Sequence, residues 1–554
     1  MRATLLAWFG TFMLFVCVAH GNFETTDAGF TMHAARALWH RGDSALLTAS
    51  EGGDHIGEQQ GAAFIKRQEA AGQRTCGKIG ADGHAYVWFP MGHVFLLAPF
   101  VPLGELAGAW LADADARFQQ KVAPFAQSFV EGSPVAMQAV MSMLVPTLCI
   151  ATSLLLLYRI ARELTGNGRD AVWAALTIGL ASQAFSVGRE QLSDGPGLML
   201  LLAALLPIVR LHQGRAGRWT AAWAGAMSGC AVLVRYQTAI TVILFAAIVA
   251  SGCRRRGSWR DLAAFALGGA PLLLIFLGTN YLRYSDPLET GYPAIGEWFQ
   301  ADFTAGLAKI FFAAGRGVMW CSPVLWIALP LAASRRHKVE MRWLAWALFL
   351  IPVAIFSTAL GWQGGQAWAI RYVTPGVVAL CALVLPQAAP WRHSPRRFWA
   401  VFAIGCLVSL TSVVAPVRGQ IQLMSQALRA DEQRAVAAGA LDPGARTVDT
   451  ADVGGWRLRY PPWLRTWALA ARVGAAAPGA GAASMIEAVY GVEAVTPEQA
   501  RAPSHWADRG GRHLWWRFWG DLYDISGLLL VLPALLIGGL CAWLGWRRLA
   551  AEGA

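Results

Sequence analysis

Ionisable side chains stand where long apolar segments end, and their types suggest chemistry on a phosphate group. A carboxylate can act as a general base toward a hydroxyl, and an arginine can hold a phosphate through two parallel N–H donors. Ionisable groups at membrane depth are costly and usually functional. These carboxylate and guanidinium side chains suit a reaction in which a moiety is transferred from a lipid phosphate and the phosphate leaves. The residues concerned are Glu24, Asp27, Asp194, Arg316 and Arg371.

Each of these side chains also has an ordinary structural interpretation. Asp27 and Asp194 precede helical segments, where Asp is a common helix cap. Arg316 and Arg371 can extend toward the membrane–water interface as anchors. The residue types alone therefore leave capping and anchoring open beside a functional role.

The composition indicates a membrane protein with many spans. Of its 554 residues, 56% are hydrophobic and 14% are charged, whereas about 25% of the residues in soluble domains are charged. Several apolar runs approach the length of about 20 residues that a transmembrane helix needs. A net charge of +12 would suggest nucleic-acid binding in a soluble protein. Here lysines and arginines retained on the cytoplasmic side explain it, so no nucleic-acid partner is predicted.

The cysteines and histidines show no metal-binding signature. The nine cysteines form no CxxC or Cys/His spacing, so neither a disulfide framework nor a zinc site is predicted. His33, His84 and His93 include no pair with ligand spacing on one element. No cofactor is expected, and a requirement for a divalent cation is left open.

The apolar segments predict an all-α integral membrane protein with about twelve transmembrane helices. A single helix over Trp219–Ser251 would be about 50 Å long, against a membrane core of about 30 Å. This segment is therefore predicted to form two short spans, with Arg235 at the outer turn as an interfacial anchor. Pro99 and Pro102 interrupt the run before Leu111, which is predicted to lie at the membrane surface or to re-enter it. The other predicted spans are Ala3–Ala19, Val140–Leu157, Ala171–Val187, Gln191–Val209, Leu262–Leu277, Leu307–Leu331, Trp343–Leu360, Val373–Leu385, Phe398–Val414 and Ile525–Leu544.

The basic clusters predict one orientation in the membrane. They all fall on the inner side if both termini are cytoplasmic, as in a multi-pass protein of a bacterial inner membrane. The loops at Asp27, Asp194, Arg235, Asp286 and Arg371 then face outward. The predicted organisation has a membrane domain with a juxtamembrane first outer loop over 1–417, a long extracytoplasmic loop over 418–525, and a last transmembrane helix with a cytoplasmic tail over 526–554.

Four patches, taken in this order and topology, resemble the C-type glycosyltransferase superfamily of integral membrane enzymes. The chain is most similar to bacterial relatives of the protein O-mannosyltransferases and aminoarabinose transferases. The resemblance covers roughly residues 1–417. The patches are Thr26-Asp27 with Arg41-Gly42-Asp43, Tyr86-Val87-Trp88-Phe89-Pro90-Met91-Gly92, Ser193-Asp194-Gly195-Pro196, and Gly315-Arg316-Gly317 with Ser322-Pro323 and Trp362–Tyr372.

This resemblance implies a reaction and a set of site residues. Members move a sugar from a polyprenyl-phosphate carrier to an acceptor at the outer leaflet, and their catalytic base corresponds to Asp27. The acceptor here would be a hydroxyl of a glycan, lipid or protein, and direct attack on the anomeric carbon would invert its configuration. Glu24, Asp194 and Trp362 are predicted to bind substrate.

The chain departs from the pattern of this superfamily at two places. An Asp-Glu pair is common at the first loop, whereas this chain has Asp27-Ala28 with Glu24 upstream. No lysine precedes Pro90, where the aminoarabinose transferases carry one that contacts phosphate. Arg316 and Arg371 are therefore predicted to bind the donor phosphate.

A transporter or flippase of lipid-linked sugars is the alternative function. Such proteins often contain inverted repeats and charges at mid-span. No repeat is visible in this sequence, and its charges cluster at the outer ends of the predicted helices. Release of sugar from a polyprenyl-phosphate donor would separate an enzyme from a transporter.

Overall fold

The computed structural model of the protein describes most of the membrane-embedded sequence. Glu24 and Trp362 lie outside the described residues, as does most of the predicted long outer loop. The described residues are 1–23, 25–73, 76–122, 133–215, 217–256, 259–313, 315–335, 339, 341–361, 367–414, 434, 436–439 and 514–552.

Helices dominate the described chain, which confirms the predicted all-α class. Short 3₁₀ turns lie at Ala49–Glu51, Ala98–Phe100 and Tyr236–Thr238. The helices are α1 (Arg2–Cys17), α2 (Thr26–Arg41), α3 (Ile56–Ala70), α4 (Met91–Leu97), α5 (Val101–Trp110), α6 (Ala114–Val122), α7 (Val135–Thr165), α8 (Gly168–Leu180), α9 (Ala184–Val187), α10 (Asp194–His212), α11 (Arg218–Val234), α12 (Ala239–Arg256), α13 (Arg260–Tyr284), α14 (Ile295–Trp298), α15 (Phe303–Phe312), α16 (Val318–Cys321), α17 (Leu325–Ala333), α18 (Arg342–Ser357), α19 (Thr374–Ala388), α20 (Pro390–His393), α21 (Pro395–Val414), α22 (Trp515–Tyr523) and α23 (Gly527–Ala551).

Within the described residues, seven helical segments are long and apolar enough to cross a membrane. The protein is therefore a multi-pass membrane protein, while the number of about twelve spans stays a prediction. Shorter apolar helices include α1, α15, α18 and α19. The seven segments are Met91–Trp110, Val135–Thr165, Asp194–His212, Tyr236–Arg254, Arg260–Tyr284, Pro395–Val414 and Gly527–Ala551.

The segment Met91–Trp110 differs from the sequence-based expectation of a surface or re-entrant stretch. Pro99 and Pro102 are the second residues of a 3₁₀ turn and of α5. Proline is tolerated there because its missing N–H would have no partner in the first helical turn. The helical path therefore continues, and by length and composition these residues qualify as a span.

The predicted break at Arg235 is confirmed. Helix α11 ends at Val234, Arg235 is extended at φ −154° and ψ 106°, and α12 begins at Ala239. Two helices therefore replace the single long one that the apolar run suggests, and Arg235 lies at the turn between them.

The core of the membrane domain is built around α19. All of its residues except Pro375 and Gln387 are buried, and it contacts α7, α8, α17 and α18. This helix begins three residues after Arg371. The arginine is therefore attached to one of the best-packed helices of the protein.

The first and last described membrane helices pack closely through small residues. A Cβ atom on Gly10 would lie 2.0 Å from the Ala542 backbone nitrogen, and one on Gly545 would lie 2.1 Å from that of Ala7. Such small residues let helix backbones approach within a membrane. The indole nitrogens of Trp515 and Trp516 donate to carbonyl groups at the end of α1, at 2.7 and 3.0 Å. These contacts fix the point from which the loop carrying Asp27 departs.

A small antiparallel sheet, which the sequence did not predict, lies in the first loop region. Its order is β1–β3–β2, and Lys78 pairs in register with Tyr86. Arg283 is buried, and its Nη1 donates to the Val87 carbonyl at 3.1 Å. The sheet is thereby joined to the end of α13. Its strands are β1 (Ala45–Leu46), β2 (Gly77–Ile79) and β3 (Ala85–Val87).

Candidate active site

One open cavity brings together helix ends that are far apart in the sequence. Its empty volume is about 550 Å³. It combines charged groups with a group of aromatic side chains. The described lining residues are Asp27, Thr31, Trp88, Phe89, Pro90, His93, Gln191, Leu192, Ser193, Arg235, Gln237, Tyr292, Trp298, Arg371 and Tyr372.

Asp27 does not cap its helix. Thr25 is the N-cap of α2, and its hydroxyl accepts from the Ala28 N–H at 3.3 Å. Asp27 lies in the first turn, where the helix dipole favours a negative charge, and its carboxylate lines the cavity with 26% of the side chain exposed. The capping interpretation of Asp27 is therefore wrong, and the carboxylate is available to a bound molecule.

The surroundings of Asp27 make it a stronger base than an ordinary aspartate. Burial raises the pKa of its carboxyl group above the usual 3.8, and Asp194 raises it further, while Arg371 and Cys76 act in the opposite direction. The Cys76 thiol lies 3.9 Å from Oδ1. A raised pKa brings a carboxylate nearer to the range that suits general base catalysis at neutral pH.

Asp194 is held by two arginines instead of capping α10. It is the first residue of that helix, and its buried carboxylate lies 2.6 Å from Nη1 of Arg235 and 3.8 Å from Nη1 of Arg371. Nη2 of Arg371 lies 3.9 Å from the Asp27 carboxylate. Arg371 therefore stands between the two aspartates. The predicted site residues Asp27, Asp194 and Arg371 lie together.

Both arginines retain N–H donors that face no partner within the described chain. These atoms are Nη2 of Arg235 and Nε of Arg371, and both are buried. The guanidinium groups lie over the ring of Tyr372, at 5.7 and 5.5 Å from its centroid, and this ring stacks on Phe356 at 4.8 Å. The pair is thus oriented by one aromatic ring and keeps capacity for an anion.

Arg235 is the main residue that sequence reasoning missed. An arginine in a long apolar run has the pattern of an interfacial anchor. In the structure its side chain is 5% exposed and lines the cavity. The predicted break of the helix at this residue was the available signal, because it placed Arg235 on the same face as the other candidates.

The other predicted substrate-binding residues are less directly placed. Arg316 precedes α16 and is not among the lining residues of the cavity; Glu190 and Arg371 act on it electrostatically. Its phosphate-binding role stays a prediction. Glu24 and Trp362 fall outside the described residues, so their predicted roles also stay open. The neighbouring Trp368 is buried, and its indole donates to Thr411 at 3.2 Å.

In the part of the chain that the structure describes, no three His, Cys, Asp or Glu side chains are grouped as a metal site would need. His33 instead lies 2.6 Å from the Ser133 hydroxyl. The charged groups that face the cavity are a carboxylate and two guanidinium groups, a set suited to a phosphate and a hydroxyl.

Residues 134–280 match the family model of dolichyl-phosphate-mannose-protein mannosyltransferases. No curated protein matches the chain. Two crystal structures of ArnT from Cupriavidus metallidurans are similar, one in the apo state (13% identity, TM-score 0.45) and one bound to undecaprenyl phosphate (13%, 0.42). Each comparison covers 99% of this chain and 75% of the other.

The segment that matches the family model runs from α7 into α13 and contains both Asp194 and Arg235. The predicted resemblance to membrane glycosyltransferases of the mannosyltransferase type is confirmed there.

Proposed function

We propose that the protein moves a sugar from a polyprenyl-phosphate-linked donor to an acceptor hydroxyl on the extracytoplasmic face of a bacterial inner membrane. The observation that carries this proposal is the position of Arg371 between Asp27 and Asp194, at 3.9 and 3.8 Å. A candidate base and a candidate phosphate ligand thereby share one cavity. Both come from helix ends that the charge pattern predicts to face outward.

The donor phosphate binds to the arginine pair. A sugar attached through a phosphate diester brings one negative charge, and the departing polyprenyl phosphate carries a second. Arg235 and Arg371 can match both, because both residues line the cavity and each keeps a buried N–H donor without a partner in the described chain. Asp194 positions the two arginines, because its carboxylate pairs with Nη1 of each one.

Asp27 removes the proton from the acceptor hydroxyl. The hydroxyl oxygen forms a bond to the anomeric carbon while the bond from that carbon to the phosphate oxygen breaks. The electron pair leaves with the phosphate, and the proton passes to the carboxylate of Asp27. Attack opposite the leaving group inverts the anomeric configuration in one step, and one positioned carboxylate typically contributes about 10²–10⁴-fold.

Turnover of a labelled donor by the purified protein tests this function. The protein in lipid nanodiscs is supplied with polyprenyl phosphates bearing radiolabelled sugars, with a panel of acceptors. Formation of polyprenyl phosphate and a labelled glycoside of inverted configuration is expected. A transporter would move intact donor between the leaflets of a proteoliposome without breaking the sugar–phosphate bond. Intact donor on both sides with no cleavage, under conditions where donor binds, would therefore refute the enzyme.

A further inference from the structure

We propose that Trp88, Tyr292 and Trp298 form an aromatic wall that binds the pyranose ring of the transferred sugar, and that this sugar is uncharged. This inference rests on the proposed function and specifies its substrate class. All three side chains line the same cavity as Asp27 and Arg371, and all three are partly exposed. A sugar held through its phosphate by the arginines must occupy this cavity.

The aromatic wall has the geometry of a stacking surface. The rings of Trp88 and Tyr292 are nearly parallel, with centroids 4.9 Å apart and an angle of 4° between planes. Trp298 and Tyr236 both meet Tyr292 edge to face, at 6.1 and 6.0 Å. Aromatic rings present a negative face, and the axial C–H groups of a pyranose are weakly positive. A sugar ring can therefore pack on a face of this wall.

The wall is held in place by backbone features on both sides. Gly291 has a φ of +80°, and a Cβ atom there would lie 3.3 Å from Cβ of Trp88 and 2.6 Å from the Tyr284 hydroxyl. Glycine is therefore needed for this close approach. Glu289 accepts from the Gly291 N–H at 2.7 Å and pairs with Lys78 of the sheet at 2.6 Å. These contacts hold Tyr292 beside Trp88 without a ligand, and such preorganisation lowers the entropy cost of binding.

The charges around the cavity favour an uncharged sugar. Among the described lining residues, Asp27 is the acidic one, and the proposed reaction needs it as the base. The carboxylate of Asp194 is committed to the two arginines. Among the described lining residues, an ammonium group on the sugar would therefore meet no further carboxylate, whereas Gln191 and Gln237 offer amide groups suited to hydroxyls.

The aromatic surface continues beyond Trp88 to Phe89. Phe89 directly precedes Pro90, its ring meets that of Trp88 edge to face at 6.3 Å, and it lines the same cavity. Because the phosphate is assigned to the arginines, this stretch can contact the sugar.

A binding experiment tests the wall without requiring turnover. Three lipid probes are compared on purified protein in nanodiscs: polyprenyl phosphate alone, the same lipid bearing mannose, and the same lipid bearing 4-amino-4-deoxyarabinose. The wild-type protein is expected to bind the mannose lipid more tightly than the other two. The Trp88→Leu and Tyr292→Leu variants should bind the mannose lipid about tenfold more weakly, as expected for loss of one stacking contact, and the sugar-free lipid as before.

Controls separate contact with the sugar from a general effect on the fold. Tyr292→Phe keeps the ring and should bind the mannose lipid almost like the wild type. Trp110→Leu removes an exposed tryptophan of α5 (79% exposed) and should have no effect. Trp298→Leu replaces Trp88→Leu if the latter does not fold.

Two results would overturn the inference. One is an equal loss of affinity for the sugar-bearing and sugar-free lipids in the leucine variants, and the other is a wild-type preference for the amino sugar. A wild-type protein that shows the expected binding pattern but cleaves no donor would instead refute the proposed function and leave the aromatic wall standing.

Discussion

Replacing Arg235 with lysine keeps a positive charge beside Asp194 but removes the planar fork that faces the cavity. The Arg235–Asp194 pair is 2.6 Å long and both side chains are almost fully buried. Removing the charge entirely, as in Arg235→Met, would leave the buried Asp194 carboxylate with the more distant Arg371, at 3.8 Å, as its remaining described partner, at a cost of up to about 3–5 kcal/mol of stability. Lysine avoids most of this loss, because its ammonium group can still pair with the carboxylate.

Arg235→Lys is expected to weaken binding of the polyprenyl-phosphate substrate because it removes an N–H group. Nη2 of Arg235 is buried without a partner in the described chain, and we assign it to the donor phosphate. A hydrogen bond to a charged group contributes about 1.5–3 kcal/mol. Its loss should weaken binding of polyprenyl phosphate by about 10- to 140-fold. Arg371→Lys should have an effect of the same order, because lysine cannot donate bidentately.

Arg392→Lys is the control for this experiment, although Arg392 is 48% exposed and Arg235 is 5% exposed. Arg392 also makes a close pair with an aspartate, at 2.7 Å from Asp170, but it does not line the cavity. Binding of labelled polyprenyl phosphate and thermal unfolding are measured for each variant. If Arg235→Lys bound this lipid no more weakly than Arg392→Lys, Arg235 would be a structural residue and the phosphate assignment would fail.

Three further predictions concern pH, metal ions and topology. Because burial raises the pKa of Asp27, kcat should fall on acidification at a pH above the usual 3.8. Protonation of Asp27 itself stabilises the fold, and this contribution is lost as the pH rises through the raised pKa, so acid should inactivate the enzyme before it unfolds the protein. A flat kcat profile down to pH 4 would contradict this. Turnover should survive EDTA because Arg235 and Arg371 supply the positive charges; a loss that Mg²⁺ restores would contradict it. A cysteine placed near Pro287 in a Cys-free background, and others placed in the region 418–524, should react with an impermeant reagent from the outside; labelling near Pro287 only from the cytoplasm would overturn the predicted orientation.

The ends of the helices were the part of the fold that the sequence predicted best. Apolar runs have recognisable limits, and the excess length of Trp219–Ser251 required the break that the structure places at Arg235. Asp27 and Asp194 were correctly assigned to helix starts. Their alternative role as caps was wrong, because capping depends on the direction of a side chain, and sequence spacing does not specify it.

Which helix ends meet was harder to predict. The cavity joins residues from the first loop, α10, the α11–α12 turn and the loop before α19, and their proximity depends on packing between distant helices. In the sequence Arg235 has the pattern of an interfacial anchor, and only the structure shows that Asp194 lies 2.6 Å from it. The stacked rings of Trp88 and Tyr292 come from separate loops, and each alone resembles an ordinary interfacial aromatic residue.

The turnover number of Asp27→Asn tests the central claim most directly. Asparagine is nearly isosteric with aspartate but cannot accept the proton of the acceptor hydroxyl. With a donor that the wild-type protein uses, kcat should fall by about 10²–10⁴-fold, while polyprenyl phosphate binds at least as tightly and the fold is at least as stable. Glu24→Gln should reduce kcat less. Wild-type turnover by Asp27→Asn, with Asp194→Asn or Glu24→Gln inactive, would contradict the assignment of Asp27 as the base.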